Sequence, residues 1–281
     1  MIRSNYHTHC VFCDGKGDPE EYVKRAIGQG MTALGFSCHA PLPFPNAFAM
    51  PAENFPAYVS RIKALQQQYR DILPIFLGLE VDFIPGIESF QTTFSSSPAL
   101  DYTIGSVHYV DLDEEGNPWP IDSDEATFAR GIATIFHGEV RPAVERYYAL
   151  IRQMVEERTH DVVGHLDVIK KYNHQQRYFS EEESWYRAAV EETLAVLAAS
   201  SMIVEVNTAG LQKPVGEMYP SRAILKRCRE LDIRVMINSD AHTPAHLQAH
   251  FAEAASLLQE IGYREVYQRT LNGWEAVPLT P

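Results

Sequence analysis

The chain has 281 residues, 45% hydrophobic and 22% charged, a globular composition that excludes a disordered or fibrous protein and suffices for a large α/β core. Its 24 Lys and Arg against 37 Asp and Glu leave a net charge of −13, so no nucleic-acid partner is expected without a local basic groove. No apolar run approaches the ~18 residues of a membrane span and no apolar leader opens the sequence, so no membrane partner and a cytoplasmic location are expected.

Short runs rich in Ile, Val, Leu and Phe alternate with longer amphipathic ones. The first strand is expected at Ile2–Tyr6. A helix follows, with Asp18 as N-cap, Pro19 in its first turn, Glu20 and Glu21 behind it and Gly30 near its stop. Then come strand Ala33–Ser37, helix Phe55–Tyr69, and strands Ile75–Val81 and Tyr102–Val107. Helix Ala143–Glu157 leads to strand Val162–Leu166, and helix Glu181–Ser200 to strand Ile203–Val206. Helix Ser221–Leu231, strand Val235–Ser239 and helix Ala245–Ile261 complete the alternation. Gly262–Tyr267 is read as a last strand, with the Pro-containing tail on the surface. No repeat or linker interrupts the chain, so 1–281 is expected as one domain. Seven strand–helix units predict a parallel sheet, and a closed barrel is preferred because it brings the polar strand ends onto one rim.

Those strand ends carry the chemistry. In His7-Thr8-His9 both imidazoles point the same way at strand spacing and can reach one cation. Asn238-Ser239-Asp240-Ala241-His242 repeats the spacing with a carboxylate and an imidazole. Glu80 lies in an apolar strand, where a carboxylate is costly unless a metal ion or a buried Arg or Lys pairs with it. His39, His108 and His165 each end an apolar run. Singly, each reads as a core histidine; together, on consecutive strand ends, they read as a multinuclear metal site. His and carboxylate donors without thiolates fit Zn, Mn or Fe. The four Cys, Cys10-x-x-Cys13 included, are expected as reduced thiols.

In chain order, His7-x-His9, Cys38-His39, Glu80, Gly-Ser-x-His108, Gly-His165-x-Asp and Ser-Asp240-Ala-His242 resemble the successive motifs of the PHP (polymerase and histidinol phosphatase) superfamily. Asn207-Thr208-Ala209-Gly210, Lys213-Pro214 and Tyr219-Pro220-Ser221 are similar to its monofunctional histidinol-phosphatase branch. The resemblance implies a distorted (β/α)7 TIM-like barrel holding three divalent metal ions. By that analogy His7, His9, Glu80 and Asp240 bind the first. Glu80 bridges to a second completed by His108 and His165, and Asp14, His39 and His242 bind the third. Some relatives carry His where this chain has Asp14, and a carboxylate there favours manganese or iron(II) over zinc.

The implied activity is hydrolysis of L-histidinol phosphate to L-histidinol and phosphate in histidine biosynthesis. Alternatives are a PHP phosphodiesterase or exonuclease, a phosphotyrosine phosphatase, and a non-catalytic metal-binding regulator. Two metals sharing a carboxylate can hold a hydroxide that attacks a small phosphate monoester, with Asp240 or His242 passing the proton to the leaving alkoxide. Cations for the remaining phosphate oxygens are sought in the Lys170–Arg177 segment, at Lys171 and Arg177, and past the sixth strand at Lys213 and Arg222, with Asn207 beside them. Gln212 stands where the branch often has Arg. The run Asp111, Asp113, Glu114 and Glu115 offers carboxylates to the substrate's cationic end. The loop 40–51, with Phe44 and Phe48, is expected as a pocket wall. His137, His160, His246 and His250 are expected on the surface, and Trp119, Trp185 and Trp274 in packing. The sequence leaves the oligomeric state open.

Overall fold

The computed structural model describes residues 2–157 and 160–279. In chain order its strands and helices are β1 (Ser4–Asn5), α1 (Pro19–Gly28), β2 (Ala33–Phe36), α2 (Phe55–Tyr69), β3 (Ile75–Asp82), α3 (Glu88–Ser95) and β4 (Tyr102–Ser106). There follow β5 (Tyr109–Leu112), β6 (Pro118–Pro120), α4 (Glu125–Thr134), α5 (Val140–Glu157), β7 (Val162–Val163) and α6 (Ser184–Ala198). The last are β8 (Ile203–Asn207), α7 (Arg222–Glu230), β9 (Val235–Asn238), α8 (Phe251–Ile261), β10 (Glu265–Thr270) and β11 (Gly273–Pro278).

Seven strands form one parallel sheet in the order β1-β2-β3-β4-β7-β8-β9. Its two outer strands meet just beyond their ends, where a parallel bridge joins Thr8 to Ala241. His9 N donates to Ala241 O at 2.9 Å and Ala241 N to His7 O at 3.0 Å, so the sheet curls into a nearly closed barrel. Strands buried on both faces need continuous apolar runs, and β2, β3, β8 and β9 are buried at every residue. Inside the barrel, Tyr6, Ala33, Phe76, Tyr102, Val162, Ile203 and Met236, one from each strand or its edge, form a separate apolar cluster. Helices cover the outside. α1 starts as its sequence dictates: Asp18 accepts from Glu20 N, and Glu21 Oε1 accepts from Asp18 N at 3.1 Å, a reciprocal cap. No helix among the described residues is long and apolar enough to cross a membrane.

Four expectations change. The surface tail is instead β11, paired antiparallel with β10; Pro278 stands opposite Glu265 in the last pair, where its missing N–H breaks no interior ladder bond. Trp274 of that hairpin packs on Tyr6 at 5.7 Å and Tyr102 at 6.0 Å, sealing the barrel interior at the end away from the strand C-termini. The helix expected at 245–261 begins only at Phe251, because His250 has left-handed backbone with φ 60°. Between β4 and β7 the chain inserts the β5–β6 hairpin and α4, whose N-cap Asp124 accepts from Thr127 N at 2.8 Å. Finally, His160, expected on the surface, is half-buried. Its Nδ1 lies 3.2 Å from Thr103 Oγ1, and a Cβ on Gly105 would come within 2.6 Å of its ring.

Candidate metal centre

The polar strand ends converge on the rim opposite the hairpin. His7 Nε2, His9 Nε2, Glu80 Oε2 and Asp240 Oδ1 are buried atoms without hydrogen-bond partners among the described residues. Their separations are 3.1 Å (His7–Glu80), 3.4 Å (His9–Glu80), 3.5 Å (His7–Asp240) and 3.2 Å (His9–Asp240). Those four separations are of the size set by one ion with ligands at ~2.0–2.1 Å, and ligand atoms of His7, His9 and Asp240 lie within 4.8 Å of one another. His39 Nδ1, also without a partner, sits 3.0 Å from Glu80 Oε2. An unsatisfied buried polar group costs about 1–3 kcal/mol, and five together would cost a sum comparable with the whole stability of a domain. A bound cation removes that cost by taking the lone pairs.

Glu80 faces two ways. Its Oε1 lies 3.1 Å from His165 Nε2 and 3.7 Å from His108 Nε2, and those two imidazoles approach each other at 3.0 Å. Ser106 Oγ donates to the same oxygen at 2.6 Å, and a Cβ on Gly164 would lie 2.5 Å from that hydroxyl. The glycine before His165 is therefore a packing requirement of the site. A third group joins His9, Asp14, His39 and His242, with Asp14 3.3 Å from His242 and 3.9 Å from His39. Asp240 reaches its place with φ 49°, a left-handed backbone that Asp tolerates better than most residues.

Carboxylates behind the imidazoles fix their orientation. Glu205 Oε1 is 2.7 Å from His7 Nδ1, and Asp82 Oδ1 is 2.7 Å from His108 Nδ1. Each holds the ring so that Nε2 faces the centre, as in carboxylate–histidine–metal triads. Burial opposes charge on Glu80, yet the surrounding His7 and His39 override it and hold the carboxyl well below its ordinary value. Burial likewise opposes the His108 cation, but Asp82 and Asp122 push the ring up to about 10. Glu205 escaped the sequence reading, although Ile-Val-Glu205-Val has the same acid-in-apolar-strand signature as Glu80.

A cavity of about 380 Å³ opens over the centre. Lys171 and Lys213 line it, as do Ala47 and Phe48 of the loop 40–51. The other expected substrate contacts lie elsewhere. Arg177 stands outside the cavity and pairs with Glu125, while Arg222 pairs with Glu260 at 2.8 Å on the outer face of α7. Glu115 is exposed in the turn between β5 and β6. Asn207 is fully buried and donates to Glu205 at 3.0 Å and Asp240 at 3.3 Å, so it supports the ligands rather than touching a substrate. Lys170 is buried among Asp167, Glu181 and Glu217. All four cysteines are free. Trp119 is buried and donates to Thr127 O at 3.0 Å; it is a packing residue.

A PHP domain model matches residues 5–209, which takes in β1 through the residues just past β8. The chain belongs to the PHP domain family. It is 32% identical over 263 residues to a Deinococcus radiodurans protein named probable histidinol-phosphatase, covering 92% of this chain and 94% of that one. It is 30% identical over 258 residues to histidinol-phosphatase of Bacillus subtilis, covering 86% and 94%. A crystal structure of histidinol phosphate phosphatase from Lactococcus lactis, complexed with Zn, L-histidinol and phosphate, superposes with a TM-score of 0.72 at 22% identity, over 95% of this chain and 96% of that one. This PHP chain thus shares its barrel with that structure.

Proposed function

We propose that this PHP protein is a metal-dependent phosphatase that releases phosphate from L-histidinol phosphate, a step of histidine biosynthesis. The observation that carries the reading is Glu80, whose two buried oxygens each face a separate group of histidines beneath an open cavity. The relatives named histidinol-phosphatase, matched over most of both chains, support the substrate.

In this reading His7, His9, Glu80 and Asp240 hold one divalent ion, and Glu80, His108 and His165 hold a second. Asp14, His39 and His242 hold a third. The L. lactis structure was complexed with Zn, whereas the carboxylate of Asp14 favours manganese or iron(II) at the third position. Bound there, such ions supply an activated water nucleophile and offset charge on the phosphoryl oxygens. The chain's own residues do the rest. Glu205 and Asp82 keep the His7 and His108 rings in the productive tautomer. Lys171 and Lys213 reach phosphoryl oxygens from the cavity wall. Asp240 or His242, both lining the cavity, passes a proton to the leaving alkoxide; His242 is the more open of the two.

The test is steady-state phosphate release with Zn, Mn or Fe supplied, comparing L-histidinol phosphate with p-nitrophenyl phosphate and its bis-ester, with Glu80→Ala as control. The reading expects kcat/KM in the ~10⁴–10⁸ M⁻¹s⁻¹ range for histidinol phosphate and far less for both surrogates. Equal, feeble turnover of all three esters defeats it.

A further inference from the structure

The acidic run 111–115 contributes nothing to the cavity lining. It occupies the tip of the β5–β6 hairpin, where Asp113 accepts from the backbone of Glu115 and Asn117 at 3.0 and 2.8 Å. Among the cavity-lining residues, Asp122 is the carboxylate that belongs to none of the metal-ligand groups. It follows β6 and is anchored through its main chain. Its carbonyl oxygen accepts from Lys171 Nζ and, at 3.2 Å, from Tyr172 Oη, and the preceding Ile121 N donates to His108 O at 2.9 Å.

The carboxylate itself pairs with Lys171 alone among the described residues. Oδ2 stands 3.4 Å from Lys171 Nζ, and among the described residues no donor bonds Oδ1. The side chain is 28% exposed. Phe48, stacked on Tyr109 with ring centroids 6.0 Å apart, lines the same cavity and narrows it with an apolar wall. One cavity therefore offers imidazole-and-carboxylate metal sites, two lysines for a phosphate, and, for a positive group on the same molecule, one carboxylate outside those sites whose side-chain pairing is the 3.4 Å contact with Lys171.

We propose that Asp122 is the specificity-determining residue that selects phosphate monoesters bearing an ammonium group. The inference rests on the phosphatase reading and deepens it. In L-histidinol phosphate the ammonium is on the carbon adjacent to the ester methylene, so a carboxylate beside the metal-bound end is where its recognition belongs. A charge-assisted hydrogen bond of this kind is worth about 10- to 100-fold in discrimination.

The experiment measures kcat/KM for L-histidinol phosphate and for its deamino analogue, the imidazolylpropyl phosphate ester, in wild type and Asp122→Asn. Asparagine keeps the main-chain carbonyl that anchors Lys171 and removes only the charge. The expected result is a wild-type preference for the amino ester that falls at least tenfold in the variant. A preference that is absent in wild type, or unchanged in the variant, overturns the proposal; if both esters lose rate together, Asp122 acts through Lys171 or the fold. Should the variant fail to fold, inhibition of wild type by L-histidinol and by the matching imidazolylpropanol replaces it, and equal inhibition overturns the idea. If wild type hydrolyses p-nitrophenyl phosphate but neither imidazole ester, the substrate reading fails by itself. Asp122 is then judged on O-phosphoethanolamine against ethyl phosphate by the same ratio.

Discussion

Glu205 gives the sharpest test of how the centre is held. Its carboxylate accepts four hydrogen bonds with no exposure to solvent: His7 Nδ1 at 2.7 Å and Asn238 Nδ2 at 2.9 Å on Oε1, His165 N at 2.9 Å and Asn207 Nδ2 at 3.0 Å on Oε2. Glu205→Gln conserves volume but turns one oxygen into a donor. Whichever way the amide lies, two of the four donors then face an N–H. At about 1–3 kcal/mol for each stranded group, the cost is about 2–6 kcal/mol of stability. Loss of the carboxylate behind His7 also loosens the ring that presents Nε2, and such changes lower metal affinity about 10- to 100-fold. The assay is metal content by mass spectrometry after dialysis against graded chelator, with thermal melts beside it. A variant whose chelation midpoint lies within threefold of wild type, with an unchanged melt, would refute the argument that Glu205 orients the centre.

Two further outcomes follow from the same geometry. Stripping the protein with chelator should abolish phosphatase activity and lower the melting temperature, because the five stranded buried atoms lose their partner; restoring an ion at ~1,000 times its Kd should return about 4 kcal/mol, and identical melts with and without metal would contradict this. His160 should weaken the fold in acid. Burial disfavours its cation and pulls the ring down from 6.5 to about 4, so between those pH values the unfolded chain binds a proton that the folded one does not. Stability then falls as pH drops through that window, by at most about 3 kcal/mol, and His160→Gln should flatten the slope in acid-side melts. An unchanged slope would show that the ring is solvated.

The polar cluster was legible because its members stand two apart directly after apolar runs: His7 and His9 just past β1, Asp240 and His242 just past β9. Glu80 was legible because an acid has no business in Ile-Phe-Leu-Gly-Leu without a partner. By that logic Glu205, in Ile-Val-Glu-Val, is equally visible. What a sequence does not display is pairing across the fold. Arg177 and Arg222 look like free cations until Glu125 and Glu260 arrive from distant helices. Asp122 sits in an irregular segment with no periodicity to aim it, so its place in the cavity emerges only when Lys171 and Tyr172 clasp its carbonyl. Likewise α4, opened by Asp124, was hidden by the acidic hairpin before it, and β11 by its proline.

The bridge between Thr8 and Ala241 decides when the centre can come into being. His7 and His9 precede Asp240 and His242 by more than two hundred residues, and neighbours across this seam such as Asn5 and Ser239 are 234 residues apart in sequence. A growing chain displays its first histidine pair long before the partners across the seam are made. The cluster is therefore complete only once these distant ends of the sheet have met, a contact of high sequence separation that forms slowly.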